Sequence, residues 1–158
     1  MVIRATSTGA DSAVGTVLVG VPGLEALAQS ASDTLIGQNS AHPLNHFGVP
    51  AMNSRLNALA DSFYATYTDT LYFNDMSLSY GGLFDADSNW AKPHAEHRLG
   101  RDADLRTNNY GGLTEPQRDF VRRVWERLGG SVRDETKNKD KTPNTKNPHY
   151  HLRYRGAP

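Results

Sequence analysis

The stretch "PHAEHRLGRDADLR", residues 93–106, decides how this chain is read. Its second half, "RDADLR", reads as a short strand, and alternate side chains of a strand point to the same face. Asp102 and Asp104 therefore share a face. His97 lies seven residues before Asp104, with Gly100 and Arg101 between them. A strand joined to a glycine turn can bring His97 and Asp104 back to one point. Taken alone, the stretch also fits a solvated charged strand end, its aspartates set beside Arg101 and Arg106.

A second stretch, "PHYHLRY" at residues 148–154, changes the weighting. "HYHLRY" reads as a final strand, so His149 and His151 project together. The six histidines fall in three clusters: His42 with His46, His94 with His97, and His149 with His151. Imidazole nitrogen and carboxylate oxygen both bind zinc at ~2.0–2.2 Å. Two histidines and one aspartate leave a fourth position for water, the open arrangement of a catalytic site. An H-x-H pair or an H-x(6)-D spacing alone carries little weight; the combination carries more.

The rest of the chain places these motifs on a scaffold. Residues 1–23 form a remnant or edge strand, "SAVGTVLVGVPG", which fits the end of a preceding β-sandwich module; residues 24–158 form the main domain. "NSAHPLNHFGVPAMN" is loop-like. Asn53 is placed to cap a helix over 54–67, with Leu56, Leu59, Ala60, Phe63 and Tyr67 on its apolar face. "TLYFNDMSLSYGGLF" reads as a strand ending in a Gly81-Gly82 turn, and 83–101 as a long loop. Thr114 opens the clearest helix, with Pro116 in its first turn and Gln117 as capping-box partner. Phe120, Val121, Val124, Trp125 and Leu128 form its apolar face, and Gly129-Gly130 stops it. "SVRDE" reads as a strand and "TKNKDKTPNTKNP" as a mobile polar loop. With strands and helices mixed and no βαβ rhythm, the expected class is α+β: a small, mainly antiparallel central sheet with flanking helices.

Composition bounds the partners. The chain has 158 residues, 37% of them apolar and 22% charged, which fits one folded domain. Lys+Arg and Asp+Glu number 17 each, so no net charge favours nucleic acid or a membrane surface. No cysteine is present, so a metal must be held by His, Asp, Glu or water. No apolar run approaches the ~18–20 residues of a membrane span, and the N-terminus carries no signal-peptide pattern.

"NDMSLSYGGLFDADSNWAKPHAEHRLGRDADL", with the later H-x-H, resembles the penicillin-insensitive murein endopeptidases. These bacterial enzymes share a wider group with lysostaphin-type peptidases, D-Ala-D-Ala metallopeptidases and the hedgehog signalling domain. The matching residues are Asp75, Ser77, Gly81, Gly82, His94, His97, Gly100, Asp102, Asp104, His149 and His151. The resemblance covers residues 70–106 and 148–154. It implies a zinc site on the sheet with His97, Asp104 and His151 as ligands. His149 would stand beside the metal, orienting the attacking water or stabilising the oxyanion. D-Ala-D-Ala dipeptidases place a glutamate base three residues before the last ligand. Pro148 stands there in this chain, so His149 is the candidate base and Glu96 a distant second. His94, Asp102, Asp75 and Ser77 are candidate supporting or substrate-contacting groups. His42, His46, Tyr80 and Trp90 fit a cleft lining or ordinary turns and packing. The murein endopeptidases are longer, usually contain cysteines, and have a further histidine before the H-x-H that this chain lacks.

The resemblance implies a zinc-dependent hydrolase that cuts amide bonds in peptidoglycan stem peptides or cross-links, with metal-activated water as nucleophile. Such an enzyme works in the periplasm, outside the cell, or after delivery to the cell wall. Two alternatives belong to other classes. One is a zinc-containing, non-catalytic module that binds cell wall or protein; the other is a structural domain whose histidines are incidental.

Overall fold

A computed structural model describes residues 2–5, 8–9, 13–16, 20–40, 42–82, 97–108 and 112–156. The chain is α+β. Val2–Ala5 (β1) and Ala13–Thr16 (β2) pair antiparallel as a separate two-stranded sheet. A second small sheet joins Glu25–Ala26 (β3) to Phe47–Gly48 (β5). The main sheet has five strands: Asp33–Leu35 (β4), Leu71–Phe73 (β6), Asp102–Arg106 (β7), His149–Tyr154 (β9) and Gly130–Asp134 (β8), in that spatial order. Only the β4–β6 pair is parallel.

Helix α1 spans Pro50–Tyr67 and helix α2 spans Glu115–Arg127. Met52, Leu56, Leu59, Ala60 and Phe63 recur at helical spacing and are buried. From α2, Val121, Val124 and Trp125 join the same core. Phe120 packs edge-on against Phe63 and Tyr67, with ring centroids 6.1 and 5.4 Å away. The sheet contributes Phe73, Ala103, Leu105, Tyr150 and Leu152. Strand alternation then determines the rest. If Ala103, Leu105, Tyr150 and Leu152 face the helices, then Asp102, Asp104, His149 and His151 must face the other way.

Several expected boundaries move. α1 begins at Pro50, not after Asn53; Pro50 supplies a preset φ at the first turn, and Val49 precedes it without a side-chain cap. Asn53 is buried inside the helix, and its Nδ2 donates to Glu25 O at 2.9 Å, which ties α1 to β3. The strand expected over "TLYFNDMSLSYGGLF" is only Leu71–Phe73. Beyond it, Asn74 N donates to Asp104 O at 2.7 Å, and Asp104 N to Asp75 O at 2.9 Å. The segment "NSAHPLNHFGVPAMN" also contains β5 and the start of α1. β3 and β4, at two and three residues, are too short to show a period.

The second helix follows its reading. Thr114 precedes α2 and its N–H donates to Gln117 Oε1 at 2.8 Å, one arm of the capping box. Gly129 follows at φ +81°, and its N–H reaches Glu126 O at 2.9 Å. The polar segment after β8, read as a mobile loop, is a loop held by internal hydrogen bonds: Asn144 Nδ2 donates to Glu135 O at 2.9 Å and to Asn147 O at 3.0 Å. No described helix is long and apolar enough to cross a membrane.

Candidate metal centre

β7 and β9 are paired so that Asp104 stands opposite His151, and Arg106 opposite His149. This register, together with the alternation above, brings Asp104, His149 and His151 onto one face. His97 arrives from a short 3-10 turn, His97–Leu99, rather than from an extended loop. Gly100 closes that turn at φ +66°, and its carbonyl accepts from Val49 N at 2.9 Å. A Cβ at Gly100 would collide with Leu24 and meet Gly48 Cα at 3.0 Å and Val49 N at 3.1 Å. Position 100 thus needs glycine for both its dihedral and its neighbours.

The resulting cluster is buried. His97 and Asp104 are 1% exposed, Asp102 2%, His151 6% and His149 7%. His97 Nε2 lies 3.5 Å from Asp104 Oδ1, and His151 Nδ1 lies 2.9 Å from the same oxygen. Two ligands ~2.1 Å from one tetrahedral ion sit roughly 3.4 Å apart, so the His97–Asp104 separation already suits a shared metal. Asp104 Oδ2 is buried and accepts no hydrogen bond among the described residues. A fully buried carboxylate oxygen left this way is costly unless a cation meets it. Among the described residues, His97, Asp104 and His151 form a group able to hold a metal ion. This chain therefore carries a buried His/Asp group fit for a metal.

Electrostatics follow from the packing. Burial alone would push the Asp104 carboxyl up, but the His97 charge and hydrogen bonds from His151 and His97 hold it far below the usual carboxylate range. Burial would likewise lower the His151 imidazole. Hydrogen bonds to Asp102 and Asp104 outweigh that and raise it to about 9. Asp102 faces His151 Nε2 at 3.3 Å, and Arg155 grips its two oxygens at 2.9 and 3.2 Å. A carboxylate on the far nitrogen of a ligating imidazole fixes the ring's tautomer and orientation.

His149 is placed differently. Its Nδ1 lies 2.7 Å from Asn147 O. A carbonyl can only accept, so Nδ1 carries the proton, and Nε2 is the atom that faces the cluster. Nε2 lies 3.6 Å from Asp104 Oδ2 and 3.4 Å from Glu135 Oε2.

The remaining candidates are spread more widely. Asp75 accepts from Asn45 Nδ2 at 3.0 Å and Asn74 Nδ2 at 3.0 Å, and its carbonyl pairs with Asp104 N, so it lies beside β7 as a continuation of the β6–β7 ladder. Ser77 is buried and bridges to Phe47 through the backbone. His46 is buried between Gln38 and Phe73 O, belongs to neither ligand group among the described residues, and has its pKa lowered by burial. His42 and Tyr80 line a separate cavity of about 330 Å³. His94, Glu96 and Trp90 lie outside the described residues.

Glu135 was not among the sequence candidates. It follows β8, and its N–H donates to His149 O at 3.0 Å, which extends the β8–β9 ladder by one residue. "SVRDE" does place Arg133 and Glu135 on one face by alternation. The register against β9, which brings that face to the histidines, is a tertiary property. No family model matches this chain, and no curated protein matches it.

Proposed function

We propose that the chain is a zinc-dependent peptidase that hydrolyses amide bonds in peptidoglycan stem peptides or cross-links. The observation that carries this reading is the buried His97–Asp104–His151 group with its unsatisfied Asp104 oxygen. Two imidazoles and one carboxylate are the donor set of an open zinc site. The motif resemblance supports cell-wall peptide as the substrate and a site of action in the periplasm, outside the cell, or after delivery to the wall. When bound, zinc supplies Lewis-acid polarisation of an amide carbonyl and lowers the pKa of water towards ~7.

The chain's own residues do the rest. Asp104 supplies a fixed negative charge whose burial keeps it unscreened. Asp102, steadied by Arg155, holds His151 in one orientation. His149, with Nδ1 anchored on Asn147 O, offers Nε2 beside the group for accepting a proton and passing it to the leaving amine.

The test is mass analysis of products from whole sacculi incubated with untagged, zinc-loaded protein, with and without chelator. Chelator-sensitive release of cut stem peptides is expected. Failure to cleave any cell-wall peptide would overturn the reading. Substituting His149→Ala separates cutting from binding: a peptidase loses turnover but keeps its metal, whereas a binding module keeps its ligand affinity.

A further inference from the structure

Glu135, His149 and His151 form a second group of potential ligand atoms, all within 4.8 Å of one another. His151 belongs to both groups. We propose that Glu135 and His149 hold a second divalent cation, beside the ion held by His97, Asp104 and His151.

Three observations converge on that position. First, the contact of His149 Nδ1 with Asn147 O at 2.7 Å fixes the ring so that Nε2 faces two carboxylates, 3.4 Å from Glu135 Oε2 and 3.6 Å from Asp104 Oδ2. Second, Glu135 Oε2 and His149 Nε2 are 3.4 Å apart, the spacing of neighbouring ligands on one zinc ion. Arg133 Nε engages the other oxygen, Oε1, at 3.1 Å, which leaves Oε2 for the histidine side. Third, Asp104 presents Oδ1 to His97 and His151 but the unsatisfied Oδ2 to His149. One carboxylate thus faces both positions.

An imidazole nitrogen beside a carboxylate suits a transition-metal ion such as zinc better than calcium or magnesium. Once the first ion takes His151, the second keeps two protein ligands, with water completing its shell. It therefore binds more weakly and fills second. Occupancy there ties up the His149 nitrogen, so excess zinc would suppress any reaction that uses it. The inference rests on the metal reading of His97, Asp104 and His151, not on which bond is cut.

Equilibrium dialysis of untagged, metal-stripped protein against rising free zinc, with bound metal counted by mass spectrometry, tests it. Two steps are expected: one equivalent, then a weaker second. Glu135→Gln should weaken the second step at least about tenfold and leave the first in place. Glu135 is 31% exposed, so this substitution does not threaten folding. His149→Ala should act the same way. A single equivalent in the unaltered protein, or a second step that survives both substitutions, would overturn the second site and leave the peptidase reading standing. No bound zinc at all would overturn both.

Discussion

At position 102 a carboxylate is buried on the polar face of the sheet, with His151 on one side and the Arg155 guanidinium on the other. If its task is to orient His151, Asp102→Asn should weaken the first zinc by about 10–100-fold without removing any ligand. Competition with a chromogenic chelator measures this; unchanged affinity would mean that Asp102 serves Arg155 alone. Gly100 makes a different demand. Gly100→Ala puts a side chain at φ +66° against the Gly48 and Val49 backbone, which cannot give way as a flexible side chain can. A loss of about 1–3 kcal/mol is expected in denaturant unfolding. Zinc affinity should fall with it, because the turn carries His97. Both residues were legible as motif members. What Asp102 touches was not, since Arg155 reaches it only through the β7–β9 pairing.

Among the elements, α2 was readable almost to the residue. Its cap, first-turn proline, apolar face and glycine stop all agree with one another. Thr114→Ala should therefore cost about 0.5–2 kcal/mol of stability, seen as a lower urea midpoint. Zinc affinity should not change, because α2 packs on the sheet face opposite the histidines; a change would show that the two faces are coupled. β9 was equally legible, its hydrophobic and histidine positions alternating without a break. α1 was readable in its body but not at its start. Asn53 has the chemistry of a cap, yet its amide is spent on Glu25 O, a partner far away in sequence. β3, β4 and β5 left no trace because a pair or triplet of residues has no period.

For the molecule as a whole, the buried His/Asp face sets a pH dependence. His151 is raised from its ordinary value of 6.5 to about 9 in the metal-free protein. Its contribution to stability is thus complete below about pH 6.5 and is lost as pH rises through about 9. The melting temperature of metal-free protein should fall across that window, and His151→Asn should flatten the slope. Zinc-loaded protein should not show it, because ligation replaces the proton. A metal-free protein whose stability is level from pH 6.5 to 9 would show that Asp102 and Asp104 do not hold a charged imidazole.

The α+β class, the second helix, the final strand and the two histidine-bearing segments were legible from the residues alone. These depend on local periodicity, caps and turn residues, all of which act over a few positions. Also legible was that His149 with His151, and Asp102 with Asp104, would share faces, since alternation is a property of any strand. Which strands lie side by side, and in what register, is a property of the folded sheet. That register sets Asp104 opposite His151, turns both away from the helices, and brings Glu135 from the next strand to His149. The reason is physical: the core fills from the apolar faces of β7, β9 and both helices, and burying those faces leaves the histidines and carboxylates only one side on which to meet.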